Sequence, residues 1–227
     1  MQNSLKNELH NILSGKNKIG FGTIIQTIAC YLKDGEKTSA TTENAKHLKK
    51  QERERLEIYI SDKNLWIKEI DFSQYVSEGA EQKVYLKDSL HVLKLNDAIY
   101  YNSWKDYLYN LLLHNYFFSD TAYELIGFTK DNEILYAVVQ QNYVLITANT
   151  DLSKVKTFLT LNGFENNRNN DYYNKELGII LEDLHDENVL TRNDVLYFYR
   201  YCFLFKGRIL AEINRKLKLY IEIINRK

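Results

Sequence analysis

The acidic segment ILEDLHDENVL carries two side chains whose types and spacing suit phosphoryl-transfer chemistry. Asp183 and Asn188 are separated by four residues. This spacing can put a carboxylate beside an acceptor hydroxyl and an amide oxygen on a metal ion. The hydrophobic segments GIIL and VLYFY flank the loop and are expected to hold it rigidly, as catalysis by positioning requires. We therefore favour a catalytic or formerly catalytic use of Asp183 as carboxylate and Asn188 as metal ligand over a plain structural turn.

A lysine in an earlier apolar segment is the candidate for the cation that phosphoryl transfer also needs. In HVLKLN, strand alternation directs Lys94 and Val92 to the same, inward face. A buried ammonium is costly without a partner, and Asp106 in the next helical segment is the best-placed acid. Two structural interpretations stay open: Lys94 on an exposed strand face, and Asp106 in a capping box with Ser103.

The segment SEGAEQKVYL offers a cover for the phosphates. It places Gly79 in a turn between two predicted strands, where a residue without a side chain lets backbone N–H groups approach phosphate oxygens. The alternative interpretation is an ordinary hairpin turn. A single glycine does not decide between the two, because short motifs often match by chance.

Hydrophobic periodicity predicts the elements that would position these residues. Short segments rich in Val, Leu and Tyr between residues 71 and 97 predict an antiparallel meander, and two or three strands are expected around the acidic loop. Helical spacing is found in five segments. They are the first 32 residues, ENAKHLKKQERERLEIYISD, SWKDYLYNLLLHNYF, DLSKVKTFLTLNGF, and the basic segment that begins FLFKGRIL. YELIGFTKD and EILYAVVQQNYVLI predict two further strands, so the fold class is α+β.

Composition excludes several classes of protein. Among the 227 residues, 30 Lys and Arg balance 30 Asp and Glu, so the basic excess of a nucleic-acid-binding protein is missing and we expect no nucleic-acid partner. Cys30 and Cys202 match neither a disulfide framework nor a zinc site, which indicates a reducing compartment. The apolar runs are far shorter than the roughly 20 residues that span a bilayer. We expect a cytoplasmic protein without membrane contact.

Several of these segments together resemble a known family. SEGAEQKVYL, HVLKLN, LLLHNYFF, YELIGF and above all LEDLHDENVL are similar to the serine/threonine/tyrosine kinase-like domain found in polyvalent proteins of phages and mobile elements. The similarity extends from about Gly20 to about Phe198. It implies an ATP-dependent phosphotransferase with ATP and Mg²⁺ as cofactors and a protein as substrate or partner.

The resemblance also implies a domain organisation. It predicts a protein-kinase-like two-lobed fold with an N-terminal helical extension at residues 1–62. Residues 63–141 would form an N-lobe with a small antiparallel sheet and a helix. Residues 142–227 would form a reduced C-lobe that contains the catalytic-loop-like segment and a C-terminal helix.

Roles for six residues follow from the same resemblance. In chain order, it implies Gly79 in the nucleotide-covering turn, Lys94 on the phosphates, Asp106 as the helix acid, Gln141 in the hinge that meets adenine, Asp183 as the catalytic carboxylate and Asn188 on Mg²⁺.

One position departs from the family pattern. The strand after the catalytic loop should end in a metal-binding Asp, whereas LYFYRYCF has Arg200 there. An arginine cannot ligate Mg²⁺ and adds positive charge at a metal site. This departure keeps a second interpretation open, a catalytically inactive, pseudokinase-type interaction module. Its basic segment from Ile209 to Lys227 could dock on a partner or on an acidic surface, although packing in the core is the more common use of such an apolar stripe.

A third interpretation is a metal-dependent hydrolase built on the acids of the same loop. Strand alternation would scatter these neighbours over opposite faces, so we rank this interpretation last. The acids are Glu182, Asp183, Asp186 and Glu187. We interpret His185 as a hydrogen-bonding loop residue, because no other ligand-type side chain stands at metal-binding spacing from it.

Overall fold

A computed structural model divides the chain into two compact units. Asn11–Val144 form the sheet unit, whereas Met1–His10 and Leu145–Lys227 form the loop unit, which contains the acidic loop. The described residues are 2–36, 45–79, 81–200 and 202–205. Within them, five α-helices accompany antiparallel sheets, which confirms the predicted α+β class.

A five-stranded antiparallel sheet is the framework of the sheet unit. Its strands are β1 (Tyr75–Glu78), β2 (Lys83–Leu86), β3 (His91–Asn96), β4 (Glu124–Asp131) and β5 (Ile134–Asn142). The strand order is β1-β2-β3-β5-β4, so β3 is central and pairs with β2 and β5. The predicted meander and the predicted β4–β5 hairpin are both present. The hairpin turns through Asn132 and Glu133, whose φ angles of 48° and 64° are those of a primed turn that matches strand twist.

Two helices of the sheet unit pack on the helix that follows β3. The helices of the sheet unit are α2 (Thr23–Glu36), α3 (Ala45–Asp62) and α4 (Trp104–Phe117), while α1 (Gln2–Leu13) begins in the loop unit and ends in the sheet unit. The first 32 residues therefore contain two helices. Both α2 and α3 pack on α4, and Trp104 meets Phe128 of β4 edge to face. Because α4 has neighbours on several sides, its burial extends beyond the single apolar face that periodicity predicts. No helix in the described residues is long and apolar enough to cross a membrane.

The N-terminus of α4 is held by a carboxylate from α3. Glu52 is buried, and its two carboxylate oxygens accept hydrogen bonds from the backbone N–H groups of Trp104 (2.6 Å) and Lys105 (3.1 Å). A negative charge at this end of a helix satisfies unpaired donors and complements the helix dipole. The contact therefore fixes where α4 starts, and with it the position of Asp106.

A glycine lets the chain after α3 lie directly on the sheet. Gly127 has φ 156° at a bulge in β4, and a Cβ there would lie 2.5 Å from the carbonyl oxygen of Leu65. That close approach allows Phe128 and the chain at 65–67 to exchange two backbone hydrogen bonds, of 2.9 and 2.8 Å. Only a residue without a side chain fits such an approach without displacement of the backbone.

Besides the first residues of α1, the described part of the loop unit contains one helix and two small antiparallel sheets. Its elements are α5 (Leu152–Leu161), β6 (Glu165–Arg168), β7 (Asp171–Asn174), β8 (Ile179–Glu182), β9 (Val189–Arg192), β10 (Val195–Phe198) and β11 (Cys202–Phe205). One sheet has the order β11-β8-β7-β6, and β9 pairs with β10 in the other. As predicted, the Asp151 carboxylate caps α5 by accepting from the backbone of Ser153 (2.8 Å). The acidic loop connects β8 to β9 and so joins two different sheets.

Two expectations for this unit are wrong. The segment around the acidic loop contains four strands, β7 to β10, instead of two or three. The residues Cys202–Phe205 form a strand that pairs with β8, although periodicity assigned FLF to a basic helix. A strand partner distant in sequence overrides local helical spacing there. The remainder of the predicted helix, with the stripe from Ile209 onward, lies outside the described residues.

Candidate active site

Two backbone N–H groups of the acidic loop donate hydrogen bonds to β7 and to the turn before it. Asp183 has a left-handed φ of 65°, and its N–H donates to a carboxylate oxygen of Asp171 at 3.0 Å. The next N–H, of Leu184, donates to the carbonyl oxygen of Asn170 at 3.1 Å. Asp tolerates the left-handed conformation better than most residues. The Asp183 side chain nevertheless keeps 66% of its surface exposed, so its carboxylate is accessible on a fixed backbone.

Asn188 is the centre of the hydrogen bonds inside this loop. It is 1% exposed, and its Nδ2 donates to the backbone carbonyl oxygen (2.7 Å) and to the Oδ2 (3.0 Å) of Asp183. Its Oδ1 accepts from Nε of Arg200 at 2.9 Å. A guanidinium only donates, so the amide oxygen must face Arg200 and the amide nitrogen must face Asp183. One side chain therefore fixes both the exposed carboxylate and the arginine.

The side chains of Asn188 and Arg200 do not form a binding site for Mg²⁺. The Asn188 oxygen that should bind the ion accepts from a guanidinium, and Arg200 stands where an anionic ligand would be needed. Backbone N–H groups of Tyr199 and Arg200 also donate to the Asn188 carbonyl oxygen, at 2.8 and 3.1 Å, which ties Arg200 to the loop. Within the described ranges, no group of three or more His, Cys, Asp or Glu side chains could hold a metal ion. This finding also removes support for the hydrolase interpretation.

His185 forms loop hydrogen bonds. Its Nδ1 accepts from the backbone N–H of Glu187 at 3.2 Å, so the ring proton resides on Nε2. Nε2 lies 3.4 Å from Oδ2 of Asp183 and 3.0 Å from Nδ2 of Asn188. In this tautomer Nε2 cannot accept from the Asn188 amide, and its proton lies near the Asp183 carboxylate.

In the sheet unit, Lys94 lies on the central strand and points inward. It is 1% exposed, as is Val92 on the same face of β3. Lys94 pairs across the sheet with Val139 of β5. Leu95, one residue further, belongs to a hydrophobic cluster on the opposite face with Tyr85. The interpretation of Lys94 as a solvent-facing strand residue is therefore wrong.

The Tyr123 ring lies beside the Lys94 ammonium and is itself in contact with His114. Nζ lies 5.3 Å from the centroid of the Tyr123 ring, within the range of a cation–π interaction. The Tyr123 ring lies 4.5 Å from the ring of His114, which is 1% exposed on α4. Nε2 of His114 donates to the carbonyl oxygen of Thr121 at 2.7 Å. Sequence reasoning missed these aromatic residues, because only the folded chain brings α4 beside β3.

His114 should make the stability of the protein depend on pH. Burial lowers the pKa of His114 to about 3, the charge of Lys94 lowers it further, and the Thr121 hydrogen bond opposes them. A folded pKa below the unfolded value of about 6.5 means that stability is lost as pH falls through this window. Between pH 7 and pH 5, we expect wild type to lose about 2 kcal/mol more unfolding free energy than His114→Gln.

Urea unfolding of both proteins at the two pH values measures this difference. Gln retains a side-chain N–H that can reach the Thr121 carbonyl, so the comparison isolates the titrating ring. Parallel loss of stability in both proteins would contradict a buried neutral His114.

The three remaining predicted site residues lie in the sheet unit, and each forms a hydrogen bond within that unit. Gly79 follows β1, and its N–H donates to the carbonyl oxygen of Gln82 at 3.0 Å in the β1–β2 turn. The backbone N–H of Asp106 donates to Oγ of Ser103 at 3.0 Å, as the capping interpretation requires. Gln141 is 1% exposed, and its Nε2 donates to the carbonyl oxygen of Thr121 at 2.5 Å. Contact with adenine at this position would therefore involve the backbone of the segment.

Asp106 acts electrostatically on Lys49, a lysine of α3. Burial lowers the pKa of Lys49 on α3, and the charges of Asp97, Glu52 and Asp106 oppose that change. Nζ of Lys49 donates to backbone carbonyl oxygens at residues 98, 99 and 101, at 2.6, 3.3 and 2.8 Å. The pairing of Asp106 with Lys94 remains a prediction.

Comparison with known families identifies the class of protein to which these parts belong. A buried lysine on a central antiparallel strand and an Asp–Asn loop between strands are parts of kinase-like domains. The family described as Serine/Threonine/Tyrosine Kinase found in polyvalent proteins matches residues 49–204, more than half of the chain. The chain belongs to this family. All predicted site residues and Arg200 lie inside the matched range. No curated protein and no solved structure gives a significant match.

Proposed function

We propose that the chain is an ATP-dependent phosphotransferase. Family membership supports a kinase-like activity, and the observation that carries the proposal for this chain is the Asp183 carboxylate. It is exposed to an incoming hydroxyl, while the backbone of the loop and the Asn188 amide hold it in place. Positioning of this kind is the main contribution of a protein to phosphoryl transfer.

Each described residue has a distinct part in the proposed reaction. Asp183 would orient the acceptor hydroxyl and accept its proton as the bond to phosphorus forms. Lys94 would neutralise phosphate oxygens of ATP, and the backbone at Gly79 would cover them. Asn188 is a positioning residue, because its amide holds the Asp183 carboxylate. The acceptor in this proposal is a hydroxyl group of a protein substrate.

A second candidate is a catalytically inactive, pseudokinase-type module that binds a protein partner. The bond between Arg200 and Asn188 favours it, because that bond occupies the amide oxygen expected to bind a metal ion. Transfer of labelled γ-phosphate from ATP to the protein itself or to an added protein separates the two candidates. Transfer supports the phosphotransferase, whereas nucleotide binding without any transfer supports the inactive module.

Thermal unfolding with increasing ATP in the presence of MgCl₂ tests the nucleotide part of the proposal. A ligand at 100 times its Kd stabilises the folded state by about 2.7 kcal/mol, which gives a measurable rise in Tm. We expect ATP to raise Tm more than AMP, because AMP lacks the phosphates that Lys94 would contact. No rise at millimolar ATP, with the protein folded at the start, would contradict the proposal.

A further inference from the structure

A hydrogen bond to Asn188 holds the Nε edge of the Arg200 guanidinium. Nε donates to Oδ1 of Asn188 at 2.9 Å, and the Arg200 backbone N–H donates to the carbonyl oxygen of the same residue at 3.1 Å. The residue is half-buried. Its two terminal nitrogens have no hydrogen-bond partner among the described residues. Because Nε supplies only one of the guanidinium N–H groups, the edge of the group with the most donors has no partner within the described ranges.

The Asn188 amide links the Arg200 guanidinium to the proposed catalytic carboxylate. The Asn188 amide binds Oδ2 of Asp183 through Nδ2 (3.0 Å) and Arg200 through Oδ1 (2.9 Å). One buried amide group thus sets the spacing between an exposed carboxylate and a guanidinium. A fixed positive charge at this point would stabilise phosphate oxygens during phosphoryl transfer, which is the work that a bound metal ion does in related chemistry.

The guanidinium of an arginine suits phosphate oxygens better than the ammonium of a lysine would. Its planar fork can donate two parallel hydrogen bonds to phosphate oxygens, and it remains charged at every physiological pH. A phosphate group would satisfy the terminal nitrogens without displacement of the Asn188 bond. A divalent cation, in contrast, would have to displace that bond and then lie beside a positive charge.

We infer that Arg200 replaces the divalent cation at this loop, so that the protein binds the polyphosphate of a nucleotide without a metal ion. The inference rests on the proposed function, since it concerns the same nucleotide. It adds Arg200 as a binding residue and makes the binding of the nucleotide independent of a divalent cation.

Calorimetric titration of the wild-type full chain with ATP, once with EDTA and once with MgCl₂, is the first test. We expect the two Kd values to agree within about threefold. ATP that binds at least about tenfold more tightly with Mg²⁺ would overturn the inference and leave the proposed function intact. No binding in either buffer would overturn both. This comparison needs no variant, so misfolding cannot obscure it.

Substitutions at Arg200 provide the second test, with Arg192→Ala as the control. Arg192 is an exposed arginine at the end of β9 and has no part in the loop hydrogen bonds. With EDTA present, we expect Arg200→Ala to weaken ATP binding by about tenfold or more, and Arg200→Lys by less, because Lys keeps the charge but loses the fork. Unchanged ATP affinity in folded Arg200→Ala would overturn the inference.

Replacement of Arg200 with aspartate should make ATP binding depend on Mg²⁺. Arg200→Asp frees the Asn188 oxygen and supplies a carboxylate, so a divalent cation gains two oxygen ligands. We expect ATP binding by this variant to be about tenfold tighter with Mg²⁺ than with EDTA. Equal affinity in the two buffers would overturn the assignment of Arg200 to the position of the cation.

Discussion

Replacement of Asp183 with asparagine is expected to lower the rate of phosphoryl transfer from ATP by about 10²- to 10⁴-fold, the usual contribution of a general base. An amide cannot accept the proton of the acceptor hydroxyl, whereas its size and shape match the carboxylate. Asparagine also tolerates the left-handed backbone that residue 183 adopts, so the loop should keep its conformation. Transfer of labelled γ-phosphate, measured at saturating ATP, gives the rate.

Asp194→Asn is a matched control for this substitution. Asp194 is also an aspartate with a left-handed φ, 62°, and its side chain is 93% exposed in the turn between β9 and β10. Its one described ion pair is a 3.6 Å surface contact with Lys154, and such contacts contribute little. We expect wild-type rates for this control. Wild-type rates in Asp183→Asn as well would remove Asp183 from the reaction.

The second large effect is expected at Lys94. Lys94→Met keeps the length of the side chain but removes the ammonium that would contact the phosphates. Charge-assisted hydrogen bonds contribute about 1.5–3 kcal/mol each, so we expect ATP affinity to fall by about 10- to 100-fold. Titration calorimetry with ATP measures the change, and circular dichroism at the same temperature establishes that the variant is folded.

Lys87→Met controls for the loss of a lysine from the same sheet. Lys87 is exposed directly after β2, and its Nζ donates to a side-chain oxygen of Gln140. We expect ATP affinity to stay at the wild-type value in this variant. Equal affinities in Lys94→Met and Lys87→Met would mean that Lys94 does not contact the nucleotide.

Periodicity and capping predicted the elements that carry strong local signals. The helix α4 begins directly after its Ser103 cap, and α5 begins after Asp151, because a cap satisfies backbone donors within the same segment. The strand β6 has the sequence ENNR with all residues exposed, so no hydrophobic alternation marks it. Pairing with β7 alone makes it a strand, and that partner cannot be deduced from four polar residues.

The candidate site was predictable to the same degree. Alternation along β3 put Lys94 and Val92 on one face, but only the folded chain shows that this face is buried. The spacing in the acidic loop selected Asp183 and Asn188. The contact between Asn188 and Arg200 spans twelve residues and depends on how the β9–β10 hairpin folds back, so sequence could identify the unusual arginine but not its partner. The ring of Tyr123 beside Lys94 required the packing of three elements.

Reaction with an acyl-phosphate derivative of ATP tests the central claim most directly. An amine beside the nucleotide phosphates attacks the acyl group, which forms an amide on the lysine and releases ATP. Mass spectrometry then identifies the modified residue. We predict modification of Lys94 that excess ATP prevents, while exposed lysines such as Lys87 react without protection. ATP-protected modification of a different lysine, with Lys94 unmodified, would contradict the assignment of the phosphate site.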